Sequence, residues 1–333
     1  MWFTPSTLLF LVTIFFSLMF VSSSSSLILC WVGLEVNTLA FIPLLLLNNS
    51  KGLSDSSIKY FLTQALASVI FLLSLVLSPL LNGFNDCVNL LFLVAILIKL
   101  GAAPFHAWVP SIVESLSWMV LFILLTVQKL NPLFILFTWD FFSFFSIKMV
   151  FLAILSSLIL GSFLGLIQVR VRMLLTFSSI NHMGWILSAF IFGLKLTFFY
   201  FFVYILLLSA IVFPLSKFNL QHVNQLASHS LGVVWAPFLF FNLLSLGGLP
   251  PFLGFLPKWL VLQQMINGNF FFLSLVMILC SLLVLYFYLR LTFSAFMLKK
   301  LTWVKTDLKV SFHSGLVFFN LLSLGGLCLS FLV

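Results

Sequence analysis

Two stretches decide how this chain folds. Lys99-Leu100-Gly101-Ala102-Ala103-Pro104 interrupts an apolar run near 90 to 109, and Gly247-Gly248-Leu249-Pro250-Pro251-Phe252-Leu253-Gly254-Phe255-Leu256-Pro257-Lys258 interrupts another, from 231 to 267. In the first, Pro104 has no N–H to offer the carbonyl of Leu100, so a helix is broken one residue after a lysine. The second run would measure about 55 Å as one straight helix at about 1.5 Å per residue, against a hydrocarbon core of about 30 Å. It must bend, break or protrude. Gly101, Pro104, Pro250, Pro251 and Pro257 are the expected helix-breaking residues. Backbone freed at membrane depth is tolerated only inside protein or beside a wet cavity, which places Lys99 and Lys258 next to possible water.

The sequence around these stretches makes both runs membrane spans. Hydrophobic residues make up 63% of the 333 and charged residues only 6%, whereas a soluble chain carries about a quarter charged. Eleven apolar runs are long enough to cross a bilayer, near 3 to 21, 27 to 47, 58 to 81, 90 to 109, 119 to 137, 145 to 167, 173 to 192, 196 to 215, 231 to 267, 270 to 297 and 312 to 333. Ser22 to Ser26, Asn48-Asn49-Ser50-Lys51-Gly52, Asn82-Gly83 and Ser216 to Ser230 separate them as turns. The expected fold class is an all-α polytopic membrane protein, a single transmembrane domain over 1–333. The first run lacks the basic start and the small-residue cleavage pattern of a signal peptide, and no Arg-rich presequence precedes it. It reads as a retained span inserted during synthesis.

The interrupted spans are the fourth and ninth, an odd offset, so they cross in opposite directions. That is the mark of an inverted repeat, with halves near 1–137 and 145–297 and a final helix at 312–333. The segment FFNLLSLGGL recurs at 240–249 and 318–327. Its two-helix offset is parallel, and the second copy lacks the prolines and the lysine, so it is not this repeat.

Sorting charges by loop sets orientation. One face carries Lys51, Lys59, Arg170, Arg172, Lys217, Lys299, Lys300, Lys305 and Lys309 against Asp55, Glu114 and Asp307, while the other balances Lys148 and Lys195 with Asp86 and Asp140. The positive face, shared with the N-terminus, lies on the cytoplasmic or matrix side. Sidedness accounts for the net charge of +9 better than nucleic-acid binding does. Cys30, Cys87, Cys280 and Cys328 are far apart, which suggests neither a disulfide framework nor a thiolate metal site.

Glu35, Lys99, Lys129, Lys258 and Arg290 remain inside spans. A charge at the centre of a membrane helix costs about 2.5–3.5 kcal/mol on insertion scales, so each needs a reason. Arg290 sits within reach of the basic loop and reads as an anchor. Glu35 could form a structural ion pair with one lysine, which leaves two lysines over. A poorly solvated ammonium holds or loses its proton according to its neighbours, and that is what a proton relay requires. His182 could join the lysines through water or could be a hydrogen-bonded helix contact. His106, just past Pro104, could take part in the relay or only cap freed carbonyls. Ser178, Ser179 and Asn181 read as helix-packing groups. No nucleotide-binding glycine loop, iron–sulfur cysteine cluster or paired haem histidines are present.

Trp31-Val32-Gly33-Leu34-Glu35-Val36-Asn37, Lys59 to Gln64 (KYFLTQ), Lys99 to Pro110 (KLGAAPFHAWVP), Gln128-Lys129-Leu130, Ser178 to Trp185 (SSINHMGW), Gly247 to Trp259 and Tyr286 to Leu291 (YFYLRL) follow one another in an order that resembles the chain 2 family of NADH:ubiquinone oxidoreductase, respiratory complex I. These membrane subunits are related to cation/proton antiporters. The resemblance implies an antiporter-like inverted repeat with two broken helices, a shortened, eleven-helix form of a fourteen-helix fold. It implies a proton relay of Glu35, Lys99, Lys129 and Lys258, driven by quinone reduction elsewhere in the complex. It also implies a mitochondrial inner-membrane location, complex I chains 4 and 4L as neighbours, and phospholipids such as cardiolipin. NADH, FMN, iron–sulfur clusters and ubiquinone would be bound by other parts of the complex, with no cofactor or metal in this chain. Ser111 and Met173 stand where the family commonly has a glutamate and a lysine. A stand-alone cation/proton antiporter of the same fold and a non-pumping scaffold are the competing readings.

Overall fold

In a computed structural model the described residues are 4–47, 51–80, 85–138, 143–222, 225 and 235–298. They are helical apart from turns and one isolated bridge between Arg170 and His222. The chain divides into two compact units, 1–153 and 154–333.

The first unit opens with a hairpin of α1 (Pro5–Ser23) and α2 (Leu27–Leu45). Thr4 and Ser26 cap these helices, each accepting a backbone N–H at 3.4 Å, and Pro5 takes the first helical position, where its missing donor costs nothing. Helix α3 (Lys51–Leu80) has 30 residues, longer than the bilayer core is thick. It begins at Lys51, so Lys51 and Gly52, read from the sequence as turn, belong to the first turn of this helix. Helix α4 (Asn85–Leu100) stops where the first interruption was expected, and the short α5 (Trp108–Val113) follows.

The run at 119 to 137 is not one regular helix. It consists of α6 (Trp118–Leu125) and α7 (Val127–Thr138), divided at Thr126. The hydroxyl of Thr126 donates to the Phe122 carbonyl at 2.6 Å, and Pro132 supplies no N–H to the Gln128 carbonyl one turn back. Helix α8 (Phe144–Ile167) runs across the boundary between the units.

The second unit contains α9 (Val171–Phe192), α10 (Leu194–Phe218), α11 (Trp235–Gly247), α12 (Phe255–Asn267) and α13 (Phe271–Leu298). Helix α9 is buried without a break from Leu174 to Ala189, although it is among the more polar spans. Helices α11 and α12 are the two halves of the run at 231 to 267, which breaks between them at Gly248 to Gly254. Pro257, expected as a breaker, instead sits within the first turn of α12, where a missing N–H costs nothing. Ten of the eleven expected spans thus lie in helical segments, and the eleventh, 312–333, falls outside the described residues, as does the second FFNLLSLGGL copy. Eight helical segments among the described residues are long and apolar enough to cross a membrane, with α6 and α7 taken together. Many exposed side chains on α1, α3 and α13 are large and apolar, for example Phe15, Phe16, Leu66, Val76, Phe272 and Leu282, as expected of surfaces that face lipid or another apolar protein.

Candidate functional site

The two interruptions share one device. Helix α4 ends with Gly101 at φ +65°, where the Gly101 N–H reaches the Ile98 carbonyl at 3.1 Å and the Ala102 N–H reaches Leu97 at 3.2 Å. Helix α11 ends with Gly248 at φ +87°, the Gly248 N–H on Ser245 at 3.0 Å and the Leu249 N–H on Leu244 at 3.4 Å. Both are Schellman ends, in which a left-handed glycine closes the last turn. The glycine ends each helix and the proline three residues later, Pro104 or Pro251, prevents it from resuming. Gly248 was not singled out from the sequence, although Gly101-x-x-Pro104 and Gly248-x-x-Pro251 have the same spacing.

In the first unit Lys99 is the last residue but one of α4 and only 5% exposed. Its backbone lies in the last turn of α4, the end of a helix at which a cation is favoured. Among the described residues Lys99 Nζ has no hydrogen-bond partner, and neither has Glu35 Oε1 on half-buried α2. Glu35 lies within electrostatic reach of Lys99. The carbonyl of Ile98, beside the lysine, is capped by the indole Nε1 of Trp108 at 3.0 Å. His106 lies half-buried in the turn before α5.

Lys129 is 4% exposed in the first turn of α7. Lys99 and Lys129 line the same small cavity with Asn37, Tyr60, Gln64 and Gln128. The cavity has room for roughly one water, and the polar side chains in its mixed lining offer that water partners. The first unit therefore gathers Lys99 and Lys129 around one small cavity of mixed lining, with Glu35 in electrostatic reach of Lys99.

In the second unit Lys258 is 5% exposed in the first turn of α12. Its Nζ donates to the Gly247 carbonyl at 2.8 Å and to Leu246 at 3.4 Å, and lies 5.7 Å from the centre of the Trp185 ring. Those are the last carbonyls of α11, the favourable end of a helix for a cation, while Trp185 adds a π face. A Cβ at Gly248 would come within 2.9 Å of Lys258 Cδ and 3.0 Å of Nζ. The glycine therefore leaves room for the lysine as well as making the turn.

His182, on α9, hydrogen-bonds through Nδ1 to Tyr200 OH at 2.9 Å, with the Tyr204 ring 5.1 Å away. The Tyr200 ring in turn stacks on Trp185 at 6.4 Å. The histidine is thus part of an aromatic helix contact. The sequence offered no sign of these tyrosines, because they come from another helix. Ser178 and Ser179 donate to carbonyls of their own helix at 2.8 and 2.7 Å, and Asn181 donates to Leu158 of α8 at 3.3 Å, as expected of packing groups. Arg290, exposed on α13, donates to the Gln168 carbonyl at 3.1 Å. Among the described residues no cluster of three or more His, Cys, Asp or Glu side chains could hold a metal.

The family model described as NADH:quinone oxidoreductase/Mrp antiporter, transmembrane, matches residues 24–284. A protein named NADH-ubiquinone oxidoreductase chain 2 from Anopheles gambiae is 42% identical over 96% of this chain and 95% of its own. The protein of that name from Bos taurus is 33% identical over 86% and 84%. Among solved structures, a chain of respiratory complex I from Thermus thermophilus superimposes with a TM-score of 0.84 at 22% identity, covering 98% of this chain and 79% of that one. A chain of the Mrp complex from Dietzia sp. does so at 0.76 and 17% identity, covering 86% and 59%.

Proposed function

This chain belongs to the NADH:quinone oxidoreductase/Mrp antiporter transmembrane family, and from that premise we propose that it is a core membrane-arm subunit of proton-pumping NADH:ubiquinone oxidoreductase, moving protons through Glu35, Lys99, Lys129 and Lys258. The reading places the chain in the mitochondrial inner membrane, with the N-terminus on the matrix side, where the basic loops are, and the C-terminus on the intermembrane-space side. Its neighbours are chains 4 and 4L of the complex and phospholipids such as cardiolipin. NADH oxidation and quinone reduction take place in other parts of the complex, which hold the FMN, the iron–sulfur clusters and the ubiquinone, and this chain supplies the proton path.

The observation that carries this reading is the placement of buried lysines at helix discontinuities in both units. Lys99 ends a helix, Lys129 follows the division at Thr126, and Lys258 sits on the carbonyls of a terminated helix. Burying an ammonium costs several kcal/mol unless charge or hydrogen bonding compensates it. A chain selected only for stability would replace such lysines with apolar side chains. In the proposed step, moving Glu35 away from Lys99 withdraws the carboxylate that favours a proton on that amine, and the proton passes toward Lys129. Quinone reduction elsewhere in the complex drives the movement of Glu35.

The test is Lys129→Ala in the assembled complex, with protons moved per electron measured beside NADH oxidation. We expect the proton yield to fall while the complex still assembles. Unchanged yield and rate with normal assembly would overturn the relay and favour a scaffold. Purification of the chain without any NADH-oxidising partner would favour a stand-alone antiporter.

A further inference from the structure

Because α7 begins only at Val127, Lys129 hangs on a first turn, its N–H on the Thr126 carbonyl at 3.1 Å rather than in an unbroken α-helical ladder. The neighbouring side chain ties this turn down. Gln128 Oε1 accepts from Asn37 Nδ2 at 2.9 Å and from Tyr60 OH at 3.2 Å, while Gln128 Nε2 donates to Asn37 Oδ1 at 3.3 Å. In this arrangement the phenol donates to the Gln128 carbonyl oxygen, and the two amides exchange reciprocal hydrogen bonds. All three residues are buried, and they come from α2, α3 and α7. Asn131, one turn on, adds a tie to α1 through Ser17 Oγ at 3.4 Å.

None of these three groups readily gains or loses a proton, so the node is no proton carrier. Its place in the chain gives it another role. Asn37 lies two residues past Glu35 on α2, and Gln128 immediately precedes Lys129.

We propose that Gln128, Asn37 and Tyr60 form a positioning clamp that links the Glu35 helix to the turn bearing Lys129, so that displacement of one moves the other. This rests on the relay reading above. The clamp is neutral, buried and short-range, so it transmits position without adding a charge to the path. It also makes Gln128 and Asn37 interdependent. Removing either amide strands the buried donors and acceptors of the other, whereas removing both strands fewer.

The experiment uses the assembled complex in native membrane vesicles and reads proton translocation coupled to NADH oxidation. Asn37→Leu and Gln128→Leu are each expected to slow it about fivefold, the scale of one lost hydrogen-bonded unit, and the double variant no further. The exchanged pair Asn37→Gln with Gln128→Asn is expected to return to within about twofold of the parent, because the reciprocal amide bonds re-form. Multiplying single effects, or an exchanged pair no better than the singles, would overturn the clamp. Lys129→Ala, run alongside, separates the two claims. If it pumps normally, the relay fails and the clamp with it. If it fails to pump while Gln128→Leu pumps at the parent rate, only the clamp is wrong. Should the leucine variants not assemble, Tyr60→Phe decides, since it keeps the ring and loses one hydrogen bond. A coupled rate reduced by about twofold supports the clamp, and the parent rate overturns it.

Discussion

The interruption after α4 and the interruption after α11 are closed by the same glycine-ended turn, yet they treat their lysines in opposite ways. Lys99 precedes its break, at the C-terminal end of a helix, with no hydrogen-bond partner for Nζ among the described residues. Lys258 follows its break, in the first turn of the next helix, and reaches back to two carbonyls and a tryptophan face. Charge-assisted hydrogen bonds of that kind are worth about 1.5–3 kcal/mol each, and a desolvated cation–π contact up to about 2. One lysine therefore has a carboxylate in electrostatic reach and no hydrogen bond among the described residues, and the other is held by the carbonyls of the preceding helix and a ring face. A broken helix supplies an end, and the side of the break on which the lysine falls decides what that end does for it.

Substitutions at the two glycines should sharpen this contrast most. Gly248→Ala forces a left-handed alanine, at about 1–2 kcal/mol, and its Cβ meets Lys258 itself. The expected result is a fall of about 2–3 kcal/mol in stability, with overpacking added to the backbone cost, together with slower proton translocation. Thermal disassembly of the complex and coupled pumping would check the two parts. Gly101→Ala brings a similar backbone cost, but its Cβ meets Val109 and Trp108. A comparable loss of stability is expected there, with pumping less affected for the same amount of assembled complex. Equal pumping defects in the two variants would break the contrast. The smallest effect should come from Trp108→Phe, which removes the indole donor from the Ile98 carbonyl and costs about 1 kcal/mol, read as a small drop in the disassembly midpoint.

Much of this was legible in the sequence where the cause is local. A lysine beside Gly-x-x-Pro in an apolar run marks a buried charge at a helix end, and the excess length of the run at 231 to 267 required a break. The division at Thr126 was not legible, because Thr126 is apolar enough to pass within a span and Pro132 points only to the carbonyl of Gln128. The clamp was out of reach for another reason. Asn37 and Gln128 are 91 residues apart, and no periodicity reports which two buried amides will meet. His182 was visible as a titratable group, but its Tyr200 and Tyr204 neighbours belong to α10, so the aromatic setting emerged only from packing.

The central claim is that lysines in both units carry protons, and it is most exposed at Lys258, whose carbonyl and tryptophan contacts would also suit a purely structural clasp. The direct measurement is protons moved per electron in the assembled complex carrying Lys258→Met, a side chain of similar length without the ammonium. The account predicts a loss of proton yield as large as that of Lys129→Ala, with the complex still assembled. An assembled complex that pumps at the parent yield would contradict it and leave Lys258 as a structural tie across the break.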